Sequence, residues 1–185
     1  ARQTMPKEQI SVVLGFESRE VGWQEKAKEL KKKFRGKFAY LLLSEHVLVP
    51  GETAGKHSNA RVATLLAKKK LIDTRKVDIN YCTITSCDAD HVYHPNHFAY
   101  LAYKFLDNPN RYERFWQPAI VFYNNFWRLP APVRVANTFG TIWNTAQLVR
   151  TDRLINQQNY SLSFRLMDRI GYWDPDVIPE DWHMF

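Results

Sequence analysis

Two carboxylates one residue apart, Asp88 and Asp90, close the short run Tyr81-Cys-Thr-Ile-Thr-Ser-Cys87. Thr83, Ile84 and Thr85 favour extended backbone, and the run is too short for a helix, so the pattern predicts a buried parallel strand. Acids at such a strand's exit lie where open α/β sheets bind ligands. Their hard oxygens suit Mg²⁺ or Mn²⁺ and leave positions open for phosphate oxygens. An isolated Asp-x-Asp is common on solvated loops, so its surroundings carry the argument. A second acidic group, Glu180-Asp181, stands beside Trp182 and His183. A carboxylate against an apolar ring has its pKa raised, which suits a general base. Pro179-Glu180-Asp181 reads equally as a helix start.

Three other groups bear on chemistry. His91, His94 and His97 recur at every third position with Pro95 between them, a spacing that matches no common zinc signature. The stretch Val49 to Asn59 combines Pro50, Gly51, Gly55 and Lys56 ahead of a predicted helix. Backbone freedom, a lysine and a helix N-terminus suit an anion, although the spacing is not that of a Walker A loop. An ordinary surface loop reads the same way. Cys82 and Cys87 are an odd number of positions apart on the predicted strand, so they face opposite ways and do not pair. Both read as buried thiols of a reducing compartment.

The elements that must position these groups follow from periodicity. Residues 1–9 read as a polar tail, and residues 10–185 as one domain. Ile10 to Gly15 is a first strand. Trp23, Ala27, Leu30 and Phe34 make one apolar helical stripe, stopped by Gly36, and Phe38 to Leu43 is a second strand. Strand, helix and strand form a parallel βαβ unit. Ser58 or Asn59 caps a helix over 60–70. Pro95 opens a helix running to Leu106. Residues 111–150 are aromatic-rich, and Pro118, Pro130 and Pro132 break them into short pieces. The rings there read as core, as a sugar site or as a membrane-facing groove, and exposure decides among these. Tyr160 to Ser163 precedes a helix from Phe164 to Ile170, closed by Gly171.

Lys plus Arg number 26 and Asp plus Glu 19, a net charge of +7. The balance suits anionic partners. Much of the excess lies in Lys26 to Lys37 and in Lys68-Lys69-Lys70, which read as solvated helix faces, with docking onto anionic lipid as the other reading. No nucleic-acid module signature is present, so nucleic acid is not expected as a partner. No apolar run is long enough to span a membrane and no leader is visible, so the chain reads as soluble by itself.

Taken together, the motifs resemble the nucleotide-sugar-binding domain of family 2 glycosyltransferases, and more narrowly the cytosolic catalytic domain of cellulose and hyaluronan synthases. The resemblance spans roughly residues 10–185. Its anchors are Gly55-Lys56 with Asn59, the Asp88-Ala89-Asp90 triplet, Gln117 with Asn124 and Asn125, Tyr160 to Ser163, and Pro179-Glu180-Asp181-Trp182. It implies an α/β, GT-A-like fold with a mostly parallel central sheet. It implies a metal-dependent, inverting transfer from a UDP- or GDP-linked sugar to a glycan or lipid hydroxyl, with Mg²⁺ or Mn²⁺ as cofactor. Asp181 is then the catalytic base. Asp88, Lys56 and Glu17 bind the donor, Asp90 and Asp88 hold the metal, and Ser161, Ser163, Gln117, Glu180 and Trp182 meet the acceptor. His183 is a further metal or phosphate contact.

Two departures stand beside the resemblance. The family's acids after the first two strands are replaced by Glu17-Ser-Arg-Glu20 and Ser44-Glu45-His46, and no Gln-x-x-Arg-Trp follows before Phe185. The expectation is therefore a piece of a longer enzyme at the cytosolic face of a membrane. The alternative is a binding module for sugar nucleotides or glycans that has lost turnover.

Overall fold

The computed structural model describes residues 2–150, 152 and 159–177. The chain is a mixed α/β structure. Strand β1 (Ser11–Glu17), helix α1 (Trp23–Lys33) and strand β2 (Tyr40–His46) form the expected βαβ unit. β1 and β2 pair in parallel from Ser11 opposite Tyr40 to Glu17 opposite His46. Both strands therefore end side by side on two titratable residues. Ala27 is buried and Trp23, Leu30 and Phe34 half-buried, and Trp23 stacks its ring 5.7 Å from Phe16.

β1 does not stop at Gly15. The glycine is a point of close approach: a Cβ there would lie 2.1 Å from Oδ1 of Asn59. Helix α2 (Lys56–Ala67) starts earlier than the capping residues suggest and continues as a wider turn over Lys68–Thr74. Ser58 is buried inside the first turn, its hydroxyl 3.3 Å from the Thr53 carbonyl and 3.1 Å from that of Gly55. Lys68 is not on a solvated face, since it bonds Asp168 at 2.6 Å.

The strand that leads to the acidic triplet, β3 (Thr83–Ser86), is as short as expected but is not paired in parallel. It lies antiparallel to β5 (Tyr160–Ser163), which also pairs antiparallel with β4 (Phe115–Trp116). The described pairings are thus one parallel pair and a three-stranded antiparallel sheet in the order β3-β5-β4, not a mostly parallel sheet. The physical reason is β5 itself. All four of its residues are buried, and in this direction the Thr85 and Ser161 hydroxyls meet at 2.8 Å across the ladder. Periodicity gives no sign of a strand so short and buried on both faces.

Tyr160 and Leu162 of β5, with Phe164, Leu166 and Met167 of α5 (Phe164–Ile170) and Trp173, form the main core. Val13 of β1 and Ile84 of β3 pack on the same cluster, which joins the two sheets. The Trp173 indole N–H donates to the Tyr160 hydroxyl at 2.6 Å, so the buried polar atoms of both rings are satisfied. α3 (His97–Asp107) buries Leu101 and Phe105. The expected short pieces of 111–150 include instead an 18-residue helix, α4 (Ala131–Leu148). Pro130 and Pro132 sit at its entry, where a missing N–H costs nothing, so they open the helix and do not break it. The first residues pack back onto the body: the Thr4 N–H donates to the Pro95 carbonyl at 2.9 Å. Among the described residues, no helix is long and apolar enough to cross a membrane.

Ser163 caps α5. Its hydroxyl accepts from the Leu166 N–H at 2.9 Å and is fully buried. Ser163→Ala should lower stability by about 1–2 kcal/mol in urea unfolding, as loss of a cap does. An unchanged midpoint would remove this role.

Candidate functional site

Beyond β3 the chain turns through Asp88-Ala89-Asp90-His91. Asp88 is half-buried and Asp90 is almost fully exposed. The Asp88 N–H donates to Nδ1 of His91 at 3.1 Å, which folds the turn back on itself. The same nitrogen lies 3.8 Å from Oδ2 of Asp88 and 3.7 Å from Oδ1 of Asp90. One ligand atom from each of Asp88, Asp90 and His91 falls within a 4.8 Å cluster. The Asn124 amide donates to the Asp90 carbonyl at 3.0 Å, which holds the backbone and leaves the carboxylate outward.

This donor set fits Mg²⁺ or Mn²⁺. It is led by carboxylate oxygens, and the exposed side of Asp90 leaves room for waters or phosphate oxygens. His91 is the member that spacing did not single out. The signal for it is adjacency to Asp90, not the three-residue period of the histidines. Cys87, just before the triplet, is exposed and Cys82 half-buried, so the expectation of two buried thiols fails at Cys87.

The first turn of α2 supplies the positive charge. Nζ of Lys56 lies 2.8 Å from Oδ1 of Asp88. Three residues on, Asn59 reaches the other sheet and donates to Oε1 of Glu17 at 2.9 Å. Positions three apart share a helix face, so one turn spans both acidic sites. Glu17 and Asp88 are thereby both tied to the first turn of α2, one through Asn59 and the other through Lys56.

Glu17 is already occupied, however. Its carboxylate lies 3.0 Å from Nδ1 of His46, and Oε2 of Glu52 lies 3.0 Å from Nε2 of the same ring. The imidazole is buried between two carboxylates from β1 and from the loop after β2. A neutral imidazole donates from one nitrogen only, so this double clamp is the geometry of the charged ring. Burial opposes that charge, but the bonds to Glu52 and then Glu17 outweigh it, and His46 is raised above its ordinary 6.5. The bonds from His46 and from the Val49 N–H hold Glu52 below its ordinary 4.5.

The chain's last described segment converges on the same turn. Nε2 of His57 lies 3.1 Å from the Pro175 carbonyl, and the Thr53 N–H donates to that oxygen at 2.8 Å. Arg61 donates to the carbonyls of Gly171 at 2.7 Å and Trp173 at 3.0 Å. Glu180, Asp181, Trp182 and His183 lie outside the described residues.

The serines assigned to an acceptor are placed differently. Ser161 and Ser163 are buried in β5, and their hydroxyls are spent on Thr85 and on the α5 cap. A buried, bonded hydroxyl is closed to an acceptor sugar, so both belong to the fold. Gln117 follows β4 and is half-buried, while Asn124 and Asn125 are exposed. Compared with protein-family models, with curated proteins and with solved structures, the chain matches none of them.

The clamp generates a pH prediction. A histidine whose folded pKa is raised contributes stability that is complete below pH 6.5 and is lost as pH rises through the folded value. A depressed Glu52 contributes above 4.5 and is lost as pH falls through its folded value. The gap in Tm between the wild type and His46→Gln should be widest between these limits and narrow on the alkaline side. A gap constant over that whole range would mean that His46 carries no charge here.

Proposed function

We propose that the chain is a metal-dependent, inverting glycosyltransferase domain of the GT-A-like kind, acting on a nucleoside-diphosphate sugar and a hydroxyl acceptor on a glycan or lipid. The observation that carries the reading is the cluster of Asp88, Asp90 and His91 at the exit of β3, with Lys56 at 2.8 Å from Asp88. Two sheets whose acidic residues meet around one helix turn also support it.

Asp90 and Asp88 would hold Mg²⁺ or Mn²⁺ with His91 at the edge of the set. That cation supplies neutralisation of the charge growing on the leaving diphosphate. Lys56 adds a second positive charge on the same side and orients Asp88. Glu17 acts through the clamp: it fixes the ends of β1 and β2 where a nucleoside would lie. Asp181 is the base. It takes the proton of the acceptor hydroxyl as that oxygen bonds the anomeric carbon and the bond to the β-phosphate oxygen breaks, with inversion and release of the nucleoside diphosphate. Asn125, exposed beside Asn124, would offer a neutral hydrogen-bonding group to sugar hydroxyls, as Gln117 does in the sequence reading. Glu180 and Trp182 flank the base in sequence.

Calorimetric titration with UDP and with GDP, each with and without Mn²⁺, tests the donor site. One nucleotide should bind only with the metal, and Asp90→Ala should weaken it at least about tenfold. Binding of neither nucleotide with Mn²⁺ present would sink the reading.

Asp181→Asn separates an enzyme from a binding module. In an enzyme it should leave nucleotide affinity unchanged and lower transfer by about 10² or more. If the wild type binds the nucleotide but transfers no sugar to any hydroxyl acceptor, the binding module stands instead.

A further inference from the structure

Helix α4 is inside out. Arg134, Asn137, Thr141, Asn144 and Gln147 recur every three or four residues and form its half-buried to buried side. Val135, Phe139, Ile142 and Trp143 form the opposite stripe, and they are 56%, 69%, 60% and 60% exposed. An amphipathic helix of a water-surrounded domain turns its apolar stripe to the core. Here the stripe faces away from the body, and Tyr123 and Trp127 are exposed on the preceding segment. Between Phe126 and Phe139 an open groove of about 290 Å³ runs past Arg134.

Along the sequence around this stripe the charges have one sign, although the exposed Asp90 approaches through Asn124. Between Glu113 and Asp152 the chain has no acidic residue, and it carries Arg114, Arg128, Arg134 and Arg150. Arg150 is paired with Asp152. Arg128 is exposed at the helix entry, and Arg134, at the edge of the half-buried side, lines the groove beside Val135 and Phe139. An apolar stripe with tryptophan and tyrosine, whose charged neighbours in sequence from 114 to 150 are all arginines, matches the layers of a bilayer interface: acyl carbon, headgroup level and anionic phosphate. A second copy fits worse, because a two-fold contact would set arginine against arginine.

We propose that α4 and the segment Val121 to Arg128 dock on an anionic lipid surface, with α4 lying in the plane of the interface. At 18 residues it extends along about 27 Å of that surface. Asn124, in the same segment, holds the Asp90 backbone, so docking sets the acidic turn close to the lipid. On the transferase reading, and only there, this favours an acceptor borne on lipid. The docking itself does not depend on that reading.

Flotation of the full chain with vesicles tests it, using phosphatidylcholine alone and phosphatidylcholine mixed with phosphatidylglycerol. The mixed vesicles should bind roughly 25-fold more tightly, from one factor of about five for each of Arg128 and Arg134. The triple variant Phe139→Ser, Ile142→Ser and Trp143→Ser alters exposed positions only, so its circular dichroism should be unchanged while vesicle binding is lost. Bound wild type should show a blue-shifted emission that Trp143→Phe reduces. No binding to the mixed vesicles would overturn the proposal. So would binding that the triple variant retains, since the lysines of α1 would then carry it. A wild-type dimer that the triple variant abolishes, without vesicle binding, would assign the stripe to self-association instead.

Discussion

The first turn of α2 bonds in three directions, and the arrangement of the site depends on it. Lys56 reaches the acidic turn after β3, Asn59 reaches the end of β1, and His57 reaches the segment around Pro175. A helix turn is short and stiff, so groups on it keep their mutual distances. These contacts hold together the ends of two separately paired sheets and a segment more than a hundred residues away in sequence. Gly15 and Gly55 make this possible in different ways. A side chain at Gly15 would displace Asn59 from Glu17, and one at Gly55 would meet the His57 ring at 2.4 Å.

Charge compensation is the second theme of the molecule. Most of the partly buried acids do not stand alone: Asp88 has Lys56, Glu17 and Glu52 share His46, and Asp168 of α5 takes Lys68 and the Tyr172 hydroxyl. Asp90 differs in position, since its carboxylate is exposed and its backbone is held. That contrast separates the acids paired within the structure from the one turned toward solvent. A carboxylate left outward on a fixed backbone binds a cation at little ordering cost.

The aromatic region resolves into two kinds of surface. Phe115 and Tyr160 pack ring to ring at 5.9 Å, and Phe105 meets Trp116 at 5.7 Å, so the part next to the sheet is core. Past Ile120 the rings turn outward along the loop and α4. The same composition thus serves the interior at one end and an interface at the other. Backbone connectivity to Asp90 through Asn124 links that interface to the acidic turn.

Much was legible from residue types alone. The βαβ unit, the strand that ends in Asp88-Ala89-Asp90, the helix opened near Pro95 and the helix from Phe164 to Gly171 follow from local patterns that a short window contains. Four things were not. β5 is too short and too buried to show a period, so its antiparallel direction and the duties of Ser161 and Ser163 came only with the fold. The pairing of Glu17 with His46 joins residues 29 apart, and nothing local encodes the register that sets these two strand ends opposite each other. The role of His91 depends on a turn closed by its own hydrogen bond to Asp88. The outward face of α4 depends on which side meets the body. Sequence determined the local elements and the charges they carry, because these arise from neighbouring residues. Tertiary structure alone decided which groups meet and which are exposed, because both are set by contacts between distant parts of the chain.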